Sequence, residues 1–102
     1  AAEVIVKVVL GDAQLLDVRE RDEWDAGHLQ IATWCPLSML EKGVLPPSVR
    51  LDNNLYTYCR HGRRAARAAR LLEDLGADDV DYLSDGYEEL LDEGFTRSRL
   101  TW

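Results

Sequence analysis

The sequence has few cysteines: only Cys35 and Cys59 in 102 residues, beside one methionine and three prolines. Two cysteines build no disulfide framework, and no CxxC spacing supplies ligands for zinc, so no metal is expected. Positive charge is also scarce, with 12 Lys and Arg against 19 Asp and Glu and a net charge of −7. That balance removes the counterion-release energy on which nucleic-acid and anionic-membrane binders depend, so neither partner is expected. No apolar run approaches the roughly 18 residues of a membrane span. The valine-rich start carries Glu3 and Lys7 and has no basic leader or cleavage pattern, which points to a cytoplasmic protein. Repeats and low-complexity tracts are missing, which excludes solenoids and disorder.

What is present is a chain 46% hydrophobic and long enough for one core, a single domain over 1–102. Residues 1–10 place Val4, Ile5, Val8 and Val9 on one helical face while their β-branched content favours a strand; a helix stopped at Gly11 is the preferred of the two readings. Leu15 to Val18 suits a buried strand, Asp22 to Ala26 a short helix ended by Gly27, and Ile31 to Cys35 a second strand. Pro36 opens a helical turn through Leu40, and 43–54, with Pro46 and Pro47, is a loop. Leu55 to Tyr58 is a third strand. Ala65, Ala68, Ala69, Leu72 and Leu75 then form an apolar stripe closed by Gly76. Val80 to Leu83 supplies another strand, Ser84 to Gly86 a turn, and Tyr87 to Glu93 a last helix. This alternation predicts an α/β fold, a central mostly parallel sheet with helices on both faces, whose ligands bind beyond the carboxyl ends of the strands.

Cys59 stands at such an edge, between a strand and a helix that begins near Arg63 or Arg64. A free cysteine is only a few per cent thiolate at neutral pH, yet the thiolate is the nucleophile. An enzyme that uses one must stabilise the anion, and a helix N-terminus supplies only about 0.3–2 kcal/mol. Loop amides and cations have to supply the rest. In the segment CRHGRRA, Gly62 can take positive φ and curl backbone N–H groups around one point. Five of the twelve basic residues fall between Arg60 and Arg70, a positive field in an acidic chain that would also attract an anionic substrate.

CRHGRRA, preceded by LLDVRERDEWDAGHL and followed by LSDGYEEL, resembles the single-domain rhodanese (thiosulfate sulfurtransferase-like) family over nearly the whole chain. The resemblance implies a rhodanese-like fold and a sulfurtransferase without a cofactor. Cys59 would be the catalytic nucleophile, opening a six-residue loop that runs to Arg64. It would take the outer sulfur of a small anionic donor such as thiosulfate and pass it, from a persulfide, to cyanide, a thiol or a protein sulfur acceptor. Relatives often have Pro-Gly where this chain has Gln30-Ile31, and Gly-Gly where it has Asp85-Gly86.

Around the nucleophile, Arg60, His61, Gly62, Arg63 and Arg64 form the candidate substrate-binding set, with Arg60 and Arg64 favoured as direct contacts. His61 is either a proton donor to the leaving group or a spectator among arginines. Asp17 and Arg19 are supporting residues that tie the first strand to the loop. Arg67 and Arg70 read as a solvated face, with Arg70 four residues before Asp74 for an ion pair. Cys35 reads as core packing and His28 as a turn residue. Two other functions compete. A phosphatase or arsenate reductase would need an arginine six positions after the cysteine, where Ala65 stands, and Tyr58 occupies the usual histidine position. A non-catalytic binding module is the other.

Overall fold

The strands of this chain are two to five residues long, and the buried central ones, Ala13–Asp17 and Asn54–Tyr58, carry apolar side chains on both faces that helices must cover. In the computed structural model, which describes residues 2–98, α1 (Ala2–Val9) leads into β1 (Ala13–Asp17). Then follow α2 (Arg21–Ala26), β2 (His28–Leu29), β3 (Ala32–Trp34) and α3 (Leu37–Glu41). The second half holds β4 (Asn54–Tyr58), α4 (Arg63–Asp74), β5 (Asp79–Tyr82), α5 (Tyr87–Asp92) and β6 (Arg97–Ser98). Residue 1 and residues 99–102 of the expected 1–102 domain lie outside the described residues.

Four strands form a parallel sheet in the order β3-β1-β4-β5. Asp17 is in register with Trp34 on one side and Tyr58 on the other, so three strands finish level and Cys59 emerges at their common carboxyl edge. The two-residue strands β2 and β6 pair antiparallel as a separate ribbon.

Alternation along the strands divides the core. Leu16, Leu55 and Cys59 pack with Cys35, Leu40, Ala65, Ala68 and Leu72 beneath α3 and α4. Leu15 and Tyr58 face the other way, toward Val4, Leu29, Tyr87, Leu90 and Phe95. Helices therefore cover both faces. Small alanines let α4 lie close to β4, close enough for the Thr57 hydroxyl to donate to the Ala65 carbonyl at 2.8 Å. The loop 43–53 is held by Gln14, whose side chain donates to the Ser48 carbonyl at 2.7 Å and accepts from the Arg50 amide at 2.8 Å.

Three expectations are corrected. The second strand spans only Ala32–Trp34, although the Cys35 amide still donates to the Asp17 carbonyl at 2.8 Å just beyond its end, where Pro36 opens α3. His28 is not a turn residue: it lies in β2, only 3% exposed, stacked on Trp24 with ring centroids 3.4 Å apart and its Nδ1 2.9 Å from the Trp24 carbonyl oxygen. Val9 is 70% exposed rather than buried with Val4. No helix among the described residues is long and apolar enough to cross a membrane.

Leu72 is fully buried at the centre of the α4 stripe. Leu72→Ala should lower folding stability by about 2–5 kcal/mol through lost burial and a residual cavity, measured by urea unfolding. A loss under about 1 kcal/mol would mean that α4 packs loosely on the sheet.

Candidate active site

The backbone from Tyr58 to Arg64 turns from strand to helix within a few residues, and two glycines make the turn possible. Gly62 adopts φ +89° at the N-cap of α4, the left-handed region that side chains resist. Gly86 permits contact rather than curvature, since a Cβ there would lie 1.8 Å from the Arg60 carbonyl oxygen. The turn 84–86 thus presses directly on the loop, and the Tyr87 amide donates to the Cys59 carbonyl at 2.9 Å.

The sulfur of Cys59 sits inside this curl, with the residue 1% exposed. The Gly62 amide donates to Sγ at 3.0 Å and the Ala65 amide at 3.4 Å. Ala65 lies in the first turn of α4, where backbone N–H groups have no partner inside the helix and the helix dipole is positive. Two N–H groups therefore converge on one atom. Cys35 has no such company: it is fully buried among apolar side chains, and burial pushes its thiol up to about 12.

Of the expected substrate-binding residues, Arg60, His61 and Arg63 are exposed at the loop's rim. Arg64 is committed elsewhere. Its guanidinium donates twice to Glu23, at 2.6 and 2.9 Å, and clamps α2 to the start of α4. The Arg64 hydrogen bonds hold the Glu23 carboxyl at about 2, against its ordinary 4.5. Arg67 bonds to Glu41 at 2.9 Å across the surface. Arg70 and Asp74, expected as an ion pair, do not meet, since an exposed pair gains too little to fix two long side chains.

Asp17 and Arg19 lie beneath the loop on the opposite sheet face. Asp17 is fully buried, and its carboxylate accepts from Arg19 Nε at 3.0 Å, Arg19 Nη2 at 2.9 Å and the Arg19 amide at 2.9 Å. The Tyr58 hydroxyl donates to the same carboxylate at 2.5 Å. Burial, and then the Asp17 charge, push the Tyr58 phenol well above its usual value, so it stays protonated and donating. Arg19 also donates to the Gly27 carbonyl at 2.8 Å, and its guanidinium carbon stands 4.0 Å from the Tyr87 ring centroid. The sequence reading missed Glu23, Tyr58 and Tyr87. Only for Glu23 did a signal exist, an acidic residue three positions after Glu20 in a capping pattern, where its carboxylate accepts from the Glu20 amide at 3.1 Å.

A model of the rhodanese-like domain matches residues 2–93. The chain belongs to that family. Among curated relatives, it is 36% identical over 77 residues to the uncharacterized protein YqhL of Bacillus subtilis. It is 32% identical over 72 residues to the probable adenylyltransferase/sulfurtransferase MoeZ of Mycobacterium tuberculosis. The matched stretch covers 76% of this chain but 60% of YqhL, and 71% of this chain but 18% of MoeZ, so the chain spans part of their lengths. The human single-domain sulfurtransferase TSTD1 superposes with a TM-score of 0.77 at 28% identity, over 90% of this chain and 92% of that one. A thiosulfate sulfurtransferase from Pseudomonas aeruginosa gives 0.81 at 30%, over 96% of this chain and 19% of that one. The rhodanese-like family and the parallel α/β architecture agree with the reading of the motifs.

Two outcomes test the site's framework. Tyr58→Phe removes one donor from a buried carboxylate and should cost about 1.5–3 kcal/mol of stability by urea unfolding; a neutral result would mean that Arg19 satisfies Asp17 alone. Because the Glu23 carboxyl is lowered in the folded protein, the unfolded chain binds more protons between about pH 2 and 4.5. Its contribution is present above 4.5 and is lost as pH falls toward 2. Glu23→Gln should flatten stability against pH across that interval, and an unaltered slope would show that Arg64 does not hold the carboxylate in solution.

Proposed function

We propose that this domain is a sulfurtransferase in which the Cys59 thiolate takes a sulfane sulfur from a small anionic donor such as thiosulfate. The observation that supports this reading most is the pair of amides from Gly62 and Ala65 aimed at Sγ. The thiolate attacks the outer sulfur, the donor's S–S bond breaks, and its electron pair leaves with sulfite. The enzyme then carries a persulfide anion. Attack on its outer sulfur by cyanide or a thiolate frees thiocyanate or a new persulfide and restores the Cys59 thiolate, with no net redox change. Fixed N–H dipoles favour negative sulfur before and after transfer without reorganising.

In this reading Arg60, His61 and Arg63 meet the donor at the rim. Gly62 shapes the cradle, and Arg64 positions the loop through Glu23. Asp17 and Arg19 hold the end of β1 against Tyr58. No cofactor enters, since both half-reactions are displacements at sulfur. A protein acceptor is a further possible recipient, and a reducing cytoplasm suits two free thiols. A phosphatase or arsenate reductase finds no support, because the sixth position after the cysteine is buried Ala65, whose amide rather than a guanidinium faces the sulfur. A non-catalytic module would leave a converging amide pair without a use.

Intact mass spectrometry after incubation with thiosulfate should show a gain of one sulfur that cyanide removes and that Cys59→Ala abolishes. Failure to gain sulfur from thiosulfate and from polysulfide alike, with an intact fold, would sink the assignment.

A further inference from the structure

Beside the loop lies a second concavity of about 240 Å³, bordered by Arg60, Gly27, Arg19, Tyr87, Glu88 and Arg97. Cys59 does not line it, although its neighbour Arg60 does. Tyr87 is 7% exposed, and its hydroxyl oxygen is buried without a hydrogen-bond partner among the described residues. Buried hydroxyls are ordinarily satisfied, so this one is a donor in waiting. Arg19, the nearest cation, spends its Nε and Nη2 N–H groups on Asp17 and the Gly27 carbonyl. Arg60 and Arg97 make no ion pair among the described residues. The Arg97 stem runs past Gly27, 3.4 Å from where a Cβ would stand, and its guanidinium carbon is 6.0 Å from the Tyr87 ring centroid. Of the two glutamates that also line the cavity, Glu23 is neutralised by Arg64, which leaves the exposed Glu88 as the one carboxylate set against the guanidinium groups of Arg60 and Arg97.

From this arrangement we propose that the cavity is an acceptor subsite, binding the carboxylate of a small thiol that collects sulfur from Cys59. The proposal rests on the sulfur-transfer reading above. A planar carboxylate suits a guanidinium fork and a phenolic donor together. Thiosulfate keeps its charge and its reacting sulfur within one compact group, whereas a carboxylate-bearing thiol separates them. Such a ligand anchors beside Arg60 while its sulfur turns toward the loop. Its thiolate attacks the outer sulfur of the Cys59 persulfide, the inner S–S bond breaks toward Cys59, and the ligand departs as its own persulfide.

Binding and transfer are tested separately. In an NMR titration of the whole chain, propionate should shift the Tyr87 and Arg97 resonances saturably and propionamide should not, with the response weakened in Tyr87→Phe and in R97Q. These variants remove different groups, so either one suffices if the other does not fold. In the second measurement, persulfide preformed on Cys59 is discharged by 3-mercaptopropionate or by 2-mercaptoethanol. The ratio of the two KM values should favour the carboxylate in the native protein, and R97Q should reduce that preference about tenfold, the scale of one charge-assisted hydrogen bond. Comparing ratios cancels the intrinsic reactivity of each thiol. Sulfur gain at Cys59 without propionate binding, or with equal response to propionamide, overturns the subsite alone. Propionate binding without any sulfur gain overturns the acceptor role together with the sulfur-transfer reading.

Discussion

A carboxylate with no exposure to solvent sits where the two central strands end, and the geometry of the site follows from how that charge is kept paired. Asp17 would be prohibitively costly if left alone in an apolar core. Arg19 and Tyr58 satisfy it, and each brings a constraint. Through Tyr58, the residue immediately before Cys59 is fixed to the end of β1. Through Arg19, the same charge reaches the Gly27 carbonyl and the face of Tyr87. The start of the Cys59 loop, the end of α2 and the start of α5 are thus referred to one buried anion.

Strand alternation then separates chemistry from support. Tyr58 points to the face covered by α1 and α5, so Cys59 turns toward α4 and its unpaired N-terminal amides. Gly86 presses the chain onto the loop from beyond, and the Tyr87 amide takes up the Cys59 carbonyl that the curl would otherwise strand. A side chain at Gly86 would collide with the Arg60 carbonyl, and a right-handed backbone at Gly62 would undo the turn that makes the curl.

Much of this architecture was legible in the sequence. The alanine stripe of α4 has an unambiguous helical period, and its glycine stop and apolar strand leave little freedom in placing Cys59. The start of the chain followed its amphipathic pattern despite β-branched residues, because Val4, Ile5 and Val8 have an apolar sheet face to cover. The β2–β6 ribbon was not legible, since two-residue strands have no period and pair across most of the chain. His28 was misread for the same reason: its burial comes from stacking on Trp24, a tertiary event that a glycine to its left does not announce. Tyr58 and Tyr87 resembled ordinary core aromatics, and only the position of their hydroxyls separates them from that role.

Counting arginines overstated the field at the loop, and the reason lies in which of them the fold pairs off. Of the five basic residues between Arg60 and Arg70, Arg64 is neutralised by Glu23 and Arg67 by Glu41. Arg60, Arg63 and Arg70 remain, all exposed, where water and salt screen their charge within about 10 Å. The amides of Gly62 and Ala65 are shielded from solvent with the sulfur itself, and a dipole acting in a low-dielectric site loses far less of its strength. Under the proposed sulfur-transfer reading, exposed arginines would therefore draw an anionic donor toward the loop, while the polar groups that meet the sulfur itself are main-chain N–H groups. On that reading recognition belongs to side chains at the rim, and the sulfur's immediate surroundings to a backbone curl that two glycines and a buried carboxylate keep in place.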